Sequence, residues 1–432
     1  MIRTTKHITK FSNTDKLKKL KAFTAEGRKI SKLYLDYLWS HLIEFPSKDT
    51  TKIMDILNDQ LDHPTMLSNV EIESKMDSFE TNLSGRVRKC LLTQVLGMIG
   101  ASTEKQRKRI YMLNKMTVEG KKPSKAFMKK FKDNKPVIPN VENMNIELNS
   151  ICCNFKAIPD GEFDGYLELC SLGKEYGKIR IPVKYHKNSL KYLSWNMKTS
   201  FLISNNFIDI RWEKENPIDK TEGITVGADQ GIKTIITMSD GQITPKVNKH
   251  GQSLEDVMHK LSRKRKKSNA FRKAQDHREN FINWSINQLN FNNIKQINLE
   301  KIWNITYKHK VSRYMKSWTN TLIVDKLKSL SELHGVHVKE QDSTYRSQRC
   351  SGCGMVRKSN RKGKFYECMN CGNIIDADLN ASLNHEVELP EVPFELRDLK
   401  LNRKGFFWKP EGFFDFNGVE LRVPLDTSIK QS

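Results

Sequence analysis

Apolar residues recur at helical spacing from Thr14 onward. Leu17, Leu20, Ile30, Leu33, Tyr37 and Leu38 predict one long helix, with Thr14 as its N-cap and Pro46 as its stop. A second helical pattern over 83–116 places Val87, Leu91, Leu92, Val95 and Ile99 on one face, with Arg86, Arg88, Arg107, Lys108 and Arg109 elsewhere. Residues 1–13 alternate as one short strand, and 117–143, rich in Lys, Pro and Asn, read as a linker. From 144 to 216 the period changes. The runs Ile146–Phe155, Tyr166–Cys170, Ile179–Tyr185 and Ser200–Trp212 are strand-like and are broken by Pro159-Asp160-Gly161 and Asn205-Asn206, which predicts a small antiparallel barrel or sandwich.

Beyond Gly223 the pattern becomes α/β. A strand to Asp229 turns at Gln230-Gly231 into a second strand, Ile232–Met238, closed by Ser239-Asp240-Gly241. A long helix over 251–290, a strand ending at Glu300, and a helix carrying Tyr314, Trp318, Leu322, Leu330 and Leu333 follow. Gly335 stops that helix ahead of the strand Val336-His337-Val338.

Charge narrows the partner class. The 432 residues carry 74 Lys+Arg against 50 Asp+Glu, a formal charge of +24. That excess surpasses what solubility requires, and counterion release makes nucleic acid the expected partner. No apolar stretch is long enough to span a bilayer, and the first residues lack the apolar core of a secretion signal. Of the eight cysteines, Cys90, Cys152, Cys153 and Cys170 sit singly or adjacent in apolar surroundings. They read as reduced core residues of an intracellular protein.

Three acids carry the candidate chemistry. Asp229 follows Ile224-Thr225-Val226-Gly227-Ala228, Glu300 follows Ile294-Lys295-Gln296-Ile297-Asn298-Leu299, and Asp378 opens a helical pattern. A hairpin with an Asp on its first strand, a later strand-end Glu and a helix-start Asp is the arrangement of the RNase H-like fold. Its sheet would gather these oxygens around hard Mg²⁺ beside a scissile phosphate. Asp376 competes for the third position but reads as a loop or capping residue, whereas Asn380 and Asn384 are placed to orient Asp378 or its water.

The other four cysteines form Cys350-Ser351-Gly352-Cys353 and Cys368-Met369-Asn370-Cys371, fourteen residues apart, each pair followed by a glycine. Two such knuckles close a tetrahedral thiolate site for one structural Zn²⁺ with no open position for catalysis. The intervening stretch is basic (Arg357, Lys358, Arg361, Lys362, Lys364). A further run holds Lys260, Arg263, Lys264, Arg265, Lys266, Lys267, Arg272, Lys273 and Arg278 between two of the acids, which suits contact with a phosphate backbone.

With these residues in view, 144–385 resembles the transposon-encoded TnpB proteins and the compact type V CRISPR effectors. The matching segments are Val226-Gly227-Ala228-Asp229-Gln230-Gly231, His277-Arg278 ahead of a long helix, Asn298-Leu299-Glu300, Tyr345 through Gly354, and Asp378-Leu379-Asn380-Ala381-Ser382-Leu383-Asn384. The resemblance implies a multidomain α+β protein whose RNase H-like (RuvC) nuclease domain carries a zinc-ribbon-like insert, with a β-barrel wedge domain and a helical recognition lobe. On that model 1–13 is the first wedge strand, 14–130 the recognition lobe, 131–218 the wedge barrel and 219–345 the first nuclease part. The zinc-binding insert is 346–375, the second nuclease part 376–390, and 391–432 a C-terminal aromatic extension.

The resemblance further implies an RNA-guided endonuclease cutting target DNA in a single RuvC site, with Asp229, Glu300 and Asp378 holding two Mg²⁺. Guide RNA and double-stranded DNA would be its partners, and base pairing would supply specificity. It would act in the cytoplasm of a prokaryote, in transposition or antiviral defence, or be phage-encoded inside the host. A guide-directed repressor that binds without cutting, and an unguided resolvase or transposase, are the alternatives. Oligomeric state, monomer or homodimer, stays open.

Three departures qualify the resemblance. Arg346 stands where relatives often carry a small hydroxyl residue, and would bind phosphate near the cut or brace its loop. Ser382 replaces a common second alanine. The chain also continues to Ser432 through Gly405-Phe406-Phe407-Trp408-Lys409-Pro410 and a hairpin-like Phe414–Leu421, a tail suited foremost to core packing.

Overall fold

The computed structural model describes residues 1–44, 77–118, 122–123, 127–128, 136–302, 312, 314–315, 320–393, 396–397 and 399–421. The expected helix stop at Pro46, Trp318 and part of the 117–143 linker lie outside them. The chain divides into two compact units, Ile2–Lys214 and Glu215–Ser432, the latter including Met1.

In the first unit α1 (Thr14–Glu44) packs on α2 (Gly85–Val118). The buried stripe is Leu20, Phe23, Ile30, Tyr34, Leu35 and Leu38 against Val87, Leu91, Val95, Leu96 and Ile99, while Leu17, Leu33, Tyr37 and Leu92 flank it half-buried. The strands are β1 (Ile2–Ile8), β2 (Ile146–Leu148), β3 (Cys153–Ala157), β4 (Gly165–Leu169), β5 (Ile179–Val183), β6 (Asn196–Met197), β7 (Phe201–Ile203) and β8 (Phe207–Glu213). β1 pairs antiparallel with β8 from Ile2↔Glu213 to Ile8↔Phe207, so residues 1–13 do join the 144–216 region. The expected barrel is instead two open antiparallel sheets among the described residues. One runs β1-β8-β7-β2 with β6 beside β8, the other β3-β4-β5. Asn149–Cys152 forms a turn between β2 and β3, where the sequence suggested one continuous strand, and this separates the sheets. Cys152 and Cys153 are buried, Cys90 and Cys170 half-buried, and all four are free thiols.

The second unit is built on β9 (Ile224–Gln230), β10 (Ile236–Met238), β11 (Ile294–Lys301) and β12 (His337–Asp342), in the order β10-β9-β11-β12. β9 is antiparallel to β10 and parallel to β11, which is parallel to β12. This places the first strand centrally, as an RNase H-like sheet requires. One face packs Val226, Ala228, Ile236, Ile297 and Leu299 on α3 (Leu254–Ser262), α4 (Asn269–Ile286) and α5 (Asn320–His334), through Val257, Met258, Phe281, Ile282, Ile323 and Leu327. Strand residues alternate between faces. Gly227, Asp229, Asn298 and Glu300 therefore share the opposite face, which α6 (Ala377–Glu386) covers.

The single helix expected over 251–290 breaks between Ser262 and Asn269. Five consecutive cations, Arg263–Lys267, offer no apolar side chain to bury and repel one another. Lys267 takes a positive φ of 68°, and Ser268 caps α4 by accepting from the Phe271 amide at 3.1 Å. His277 and Arg278 thus lie inside α4 rather than ahead of a helix.

The cysteine insert holds β13 (Met355–Val356), β14 (Arg361–Lys362), β15 (Phe365–Glu367) and β16 (Ile374–Asp376), with β14-β15-β16 as one sheet. β17 (Phe406–Lys409) pairs with β13 and with β18 (Gly412–Phe414), so the C-terminal segment folds onto the insert. Phe406, Trp408 and Phe413 are buried there with Val356, Val392 and Leu396, the core packing expected of this tail.

Candidate metal centres

Pairing of β9 with β11 runs Gly227↔Asn298 and Ala228↔Leu299, so one step further sets Asp229 beside Glu300 on the α6 face. Oxygens of both acids and a ring nitrogen of His385 all lie within 4.8 Å of one another. Asp229 is 8% exposed and His385 1% exposed. Gln230 Nε2 donates to the Glu300 carbonyl at 3.0 Å and holds the strand ends together.

Asp378 does not join that cluster among the described residues. Its carboxylate is taken up by the Lys364 ammonium and by Arg361 Nη2 at 3.4 Å, both from the cysteine insert. Asp376 is the N-cap of α6, accepting from the Asp378 and Leu379 amides at 2.9 and 3.2 Å, as the sequence suggested.

Burial pushes the Asp229 carboxyl far above the usual carboxylate range, and the Glu300 charge pushes it further, against Arg361 and Lys364. Burial likewise raises Glu300, with Arg361 opposing. Two desolvated acids sharing one pocket are costly as anions, and a divalent cation removes that cost. The raised values mean that the folded state keeps protons which the unfolded chain releases. Their stabilisation is present below the ordinary carboxyl range, about 4, and is lost as pH rises through the raised values. Metal-free protein is therefore expected to melt several degrees lower at about pH 8 than at about pH 5. Asp229→Asn or added Mg²⁺ should flatten that slope in a thermal-shift series, and an unchanged slope in both would refute it.

α6 reaches the sheet because of Gly227. A Cβ there would stand 1.9 Å from the Ser382 carbonyl and 2.4 Å from the Glu386 amide, so any larger residue would push the helix off β9. Asn298 Nδ2 adds a bond to the Glu386 carbonyl at 3.3 Å. Asn380 and Asn384 do not orient Asp378. Asn380 accepts from the Ser351 amide at 2.9 Å and donates to the Arg349 carbonyl at 2.8 Å. Asn384 donates to the carbonyls of Arg346, Arg349 and Asn380 at 3.1, 2.7 and 2.8 Å. Both face the loop entering the first knuckle and tie α6 to it.

Arg346 needs the same correction as a nucleic-acid contact. It is 4% exposed, its Nε donates to the Asp342 carbonyl at 3.0 Å, and its Nη1 donates to the Asn384 and Val387 carbonyls. Trp408 lies under its guanidinium at 5.3 Å. These partners take up three of its five N–H donors, so Arg346 braces its loop. Lys260, Arg263, Arg265, Lys266, Lys267, Arg272 and Lys273 are exposed at the end of α3, the break and the start of α4, with Lys264 and Arg278 half-buried.

Sγ of Cys350 lies 3.6 Å from that of Cys371, and Sγ of Cys353 the same distance from that of Cys368. Bonds of about 2.3 Å to a tetrahedral Zn²⁺ give sulfur–sulfur edges of roughly 3.8 Å, so the four thiols fit that ion. Gly354 and Gly372 have φ of 79° and 70°, and each donates its amide back to the first cysteine carbonyl of its own knuckle, at 3.0 and 2.9 Å. That left-handed position explains a glycine after each pair. Buried Arg349 sits near the Cys350 and Cys353 sulfurs.

His385 did not emerge from the sequence. It stands seven residues, two turns, after Asp378 on one helix face, but that spacing points nowhere until α6 is known to lie on β9.

Comparison with known proteins agrees with this architecture. Residues 322–385 match the model for the Cas12f1-like TNB domain. A CRISPR-associated endodeoxyribonuclease Cas12f1 of Sulfoacidibacillus thermotolerans is 35% identical over 82 residues, 19% of either chain. A protein of the same name from Syntrophomonas palmitatica is 36% identical over 62 residues, 14% of this chain and 12% of that one. The matches thus span under a fifth of these curated relatives. The mini-RNA-guided endonuclease CRISPR-Cas_phi3 superposes with a TM-score of 0.51 at 9% identity, over 91% of this chain and 94% of that one. AacC2c1 in its binary complex with sgRNA gives 0.50 at 7% identity, over 89% of each. In fold over some nine-tenths of its length, and in sequence over 322–385, the chain is similar to the compact type V effectors.

Proposed function

We propose that this chain is an RNA-guided, Mg²⁺-dependent DNA endonuclease, cutting target DNA in a single RuvC-type site after guide–target pairing and recognition of an adjacent motif. The observation that carries the reading is the pairing of buried Asp229 with half-buried Glu300 on neighbouring parallel strands at the centre of the β10-β9-β11-β12 sheet. The names of the two sequence relatives, both endodeoxyribonucleases, support it.

Asp229 and Glu300 hold the metal, which when bound supplies a Lewis acid at the scissile phosphate and lowers the pKa of an attacking water. Asp378 completes the acidic set once Lys364 and Arg361 leave it, and a polyanion is the natural competitor for those two cations. Exposed cations from Lys260 to Lys273 grip the phosphate backbone of guide or target. Cys350, Cys353, Cys368 and Cys371 hold a structural Zn²⁺. The protein works in the prokaryotic cytoplasm, or inside the host if phage-encoded.

The test is to purify the full chain, sequence the RNA that accompanies it, and supply a duplex matching that guide. Cleavage that needs both the match and Mg²⁺ is expected. Guide-dependent binding with no cut strand at any divalent metal overturns the nuclease reading, and strand joining without RNA overturns guidance.

A further inference from the structure

We propose that His385 is a ligand of the same metal as Asp229 and Glu300. This gives a mixed carboxylate–imidazole centre that favours first-row transition ions such as Mn²⁺ over Mg²⁺. The inference rests on reading this pocket as a metal site, and it names a ligand that the acidic triad does not include.

Three independent features converge on this side chain. A ring nitrogen of His385 lies within 4.8 Å of carboxylate oxygens of both Asp229 and Glu300, the spread expected of donors around one ion. Its Nδ1 is buried and has no hydrogen-bond partner, while the residue itself is 1% exposed. A buried imidazole nitrogen without a partner is unusual and calls for an unrecorded one. The third feature is the backbone. At Gly227 an added Cβ would stand 2.8 Å from the His385 carbonyl carbon, so the glycine admits this turn of α6 onto β9, two residues before Asp229. Asp378, one face-repeat earlier on α6, is meanwhile held by Lys364 and Arg361. The clustered donor set is therefore two carboxylates and one nitrogen.

The chemistry follows from the donors. Mg²⁺ is satisfied by oxygen and keeps its waters, whereas imidazole contributes more to later divalent ions. As a neutral donor, His385 also leaves the site one negative charge short of an all-carboxylate triad.

The test uses full-length protein loaded with Mn²⁺ and read by electron spin-echo envelope modulation. A directly bound ¹⁴N coupling is expected in the wild type, converting to the ¹⁵N pattern when histidine is ¹⁵N-labelled. His385→Gln should lose the coupling and bind Mn²⁺ at least about tenfold more weakly, with its circular dichroism intact. The wild-type labelling experiment needs no variant, so a misfolded His385→Gln does not rescue the idea. Mn²⁺ that binds in an Asp229-dependent way with no histidine coupling overturns it, as does a coupling that survives in folded His385→Gln. Protein that shows the coupling but cuts no DNA leaves this ligand standing and sinks the nuclease reading. Protein that cuts DNA without the coupling does the reverse.

Discussion

Asp229→Ala protein, loaded with guide and matched duplex in Mg²⁺, is expected to cut at least about a thousandfold more slowly than wild type, a loss of roughly 4 kcal/mol of transition-state stabilisation. Target binding, which rests on base pairing and exposed cations, should change little. The size of the effect follows from position. Asp229 clusters with Glu300 and His385 donors, where burial and the Glu300 charge disfavour its anion and a bound cation offsets both. Alanine removes the metal's anchor, and no exposed carboxylate is placed to replace it among the described residues of β9. The measurement is single-turnover cleavage beside filter-binding of the same duplex. Asp378→Ala is the informative companion. If Lys364 and Arg361 release Asp378 to the metal when nucleic acid binds, that variant falls comparably. If Asp378→Ala cuts at the wild-type rate, Asp378 is only the insert's ion-pair partner and His385 completes the centre. Equal rates for Asp229→Ala and wild type would end the assignment altogether.

The strand acids were legible because two simple periods place them. Alternation sends Val226 and Ala228 to one face and Asp229 to the other, and the same holds for Leu299 and Glu300. The parallel register that sets the two side by side needs only a central first strand. Knuckle spacing and its glycines are equally local, so the thiolate cluster could be read without a fold. What failed was everything decided by the path of α6. Asn380 and Asn384 share a helix with Asp378, but they turn to the carbonyls of Arg346 and Arg349, thirty or more residues earlier. Arg346 looked free for phosphate because nothing local shows three carbonyls converging on it. His385 was invisible for the same reason, since its partners lie on β9 and β11. The expected barrel and the unbroken 251–290 helix failed differently. Short strands do not announce closure, and the apolar stripe of α3 and α4 continues across a run of charge that cannot stay helical.

The second large effect concerns the thiolate cluster. Cys368→Ser, or removal of zinc by a chelator, is expected to unfold the insert and abolish cleavage. Zn²⁺ bound in small cysteine modules supplies on the order of 10–16 kcal/mol, comparable to the stability of a whole domain. Here that energy supports a small core: Cys350, Met355, Tyr366, Cys368 and Ala377 pack as one buried group. Ala377 is also the first residue of α6. Without the cluster, β14–β16 have no other core among the described residues, and the N-terminus of α6 loses the sheet that delivers it. Lys364 and Arg361 are carried by the same strands or the turn between them, so Asp378 loses both its partners and its placement. Elemental analysis should find one zinc per chain in wild type. Hydrogen exchange after zinc removal should show lost protection across 350–380, while the Ile2–Lys214 unit, which contributes no thiolate to the cluster, keeps its own. Full protection of the insert in zinc-free protein would mean that the four thiols pack without a metal and that the cluster is only core.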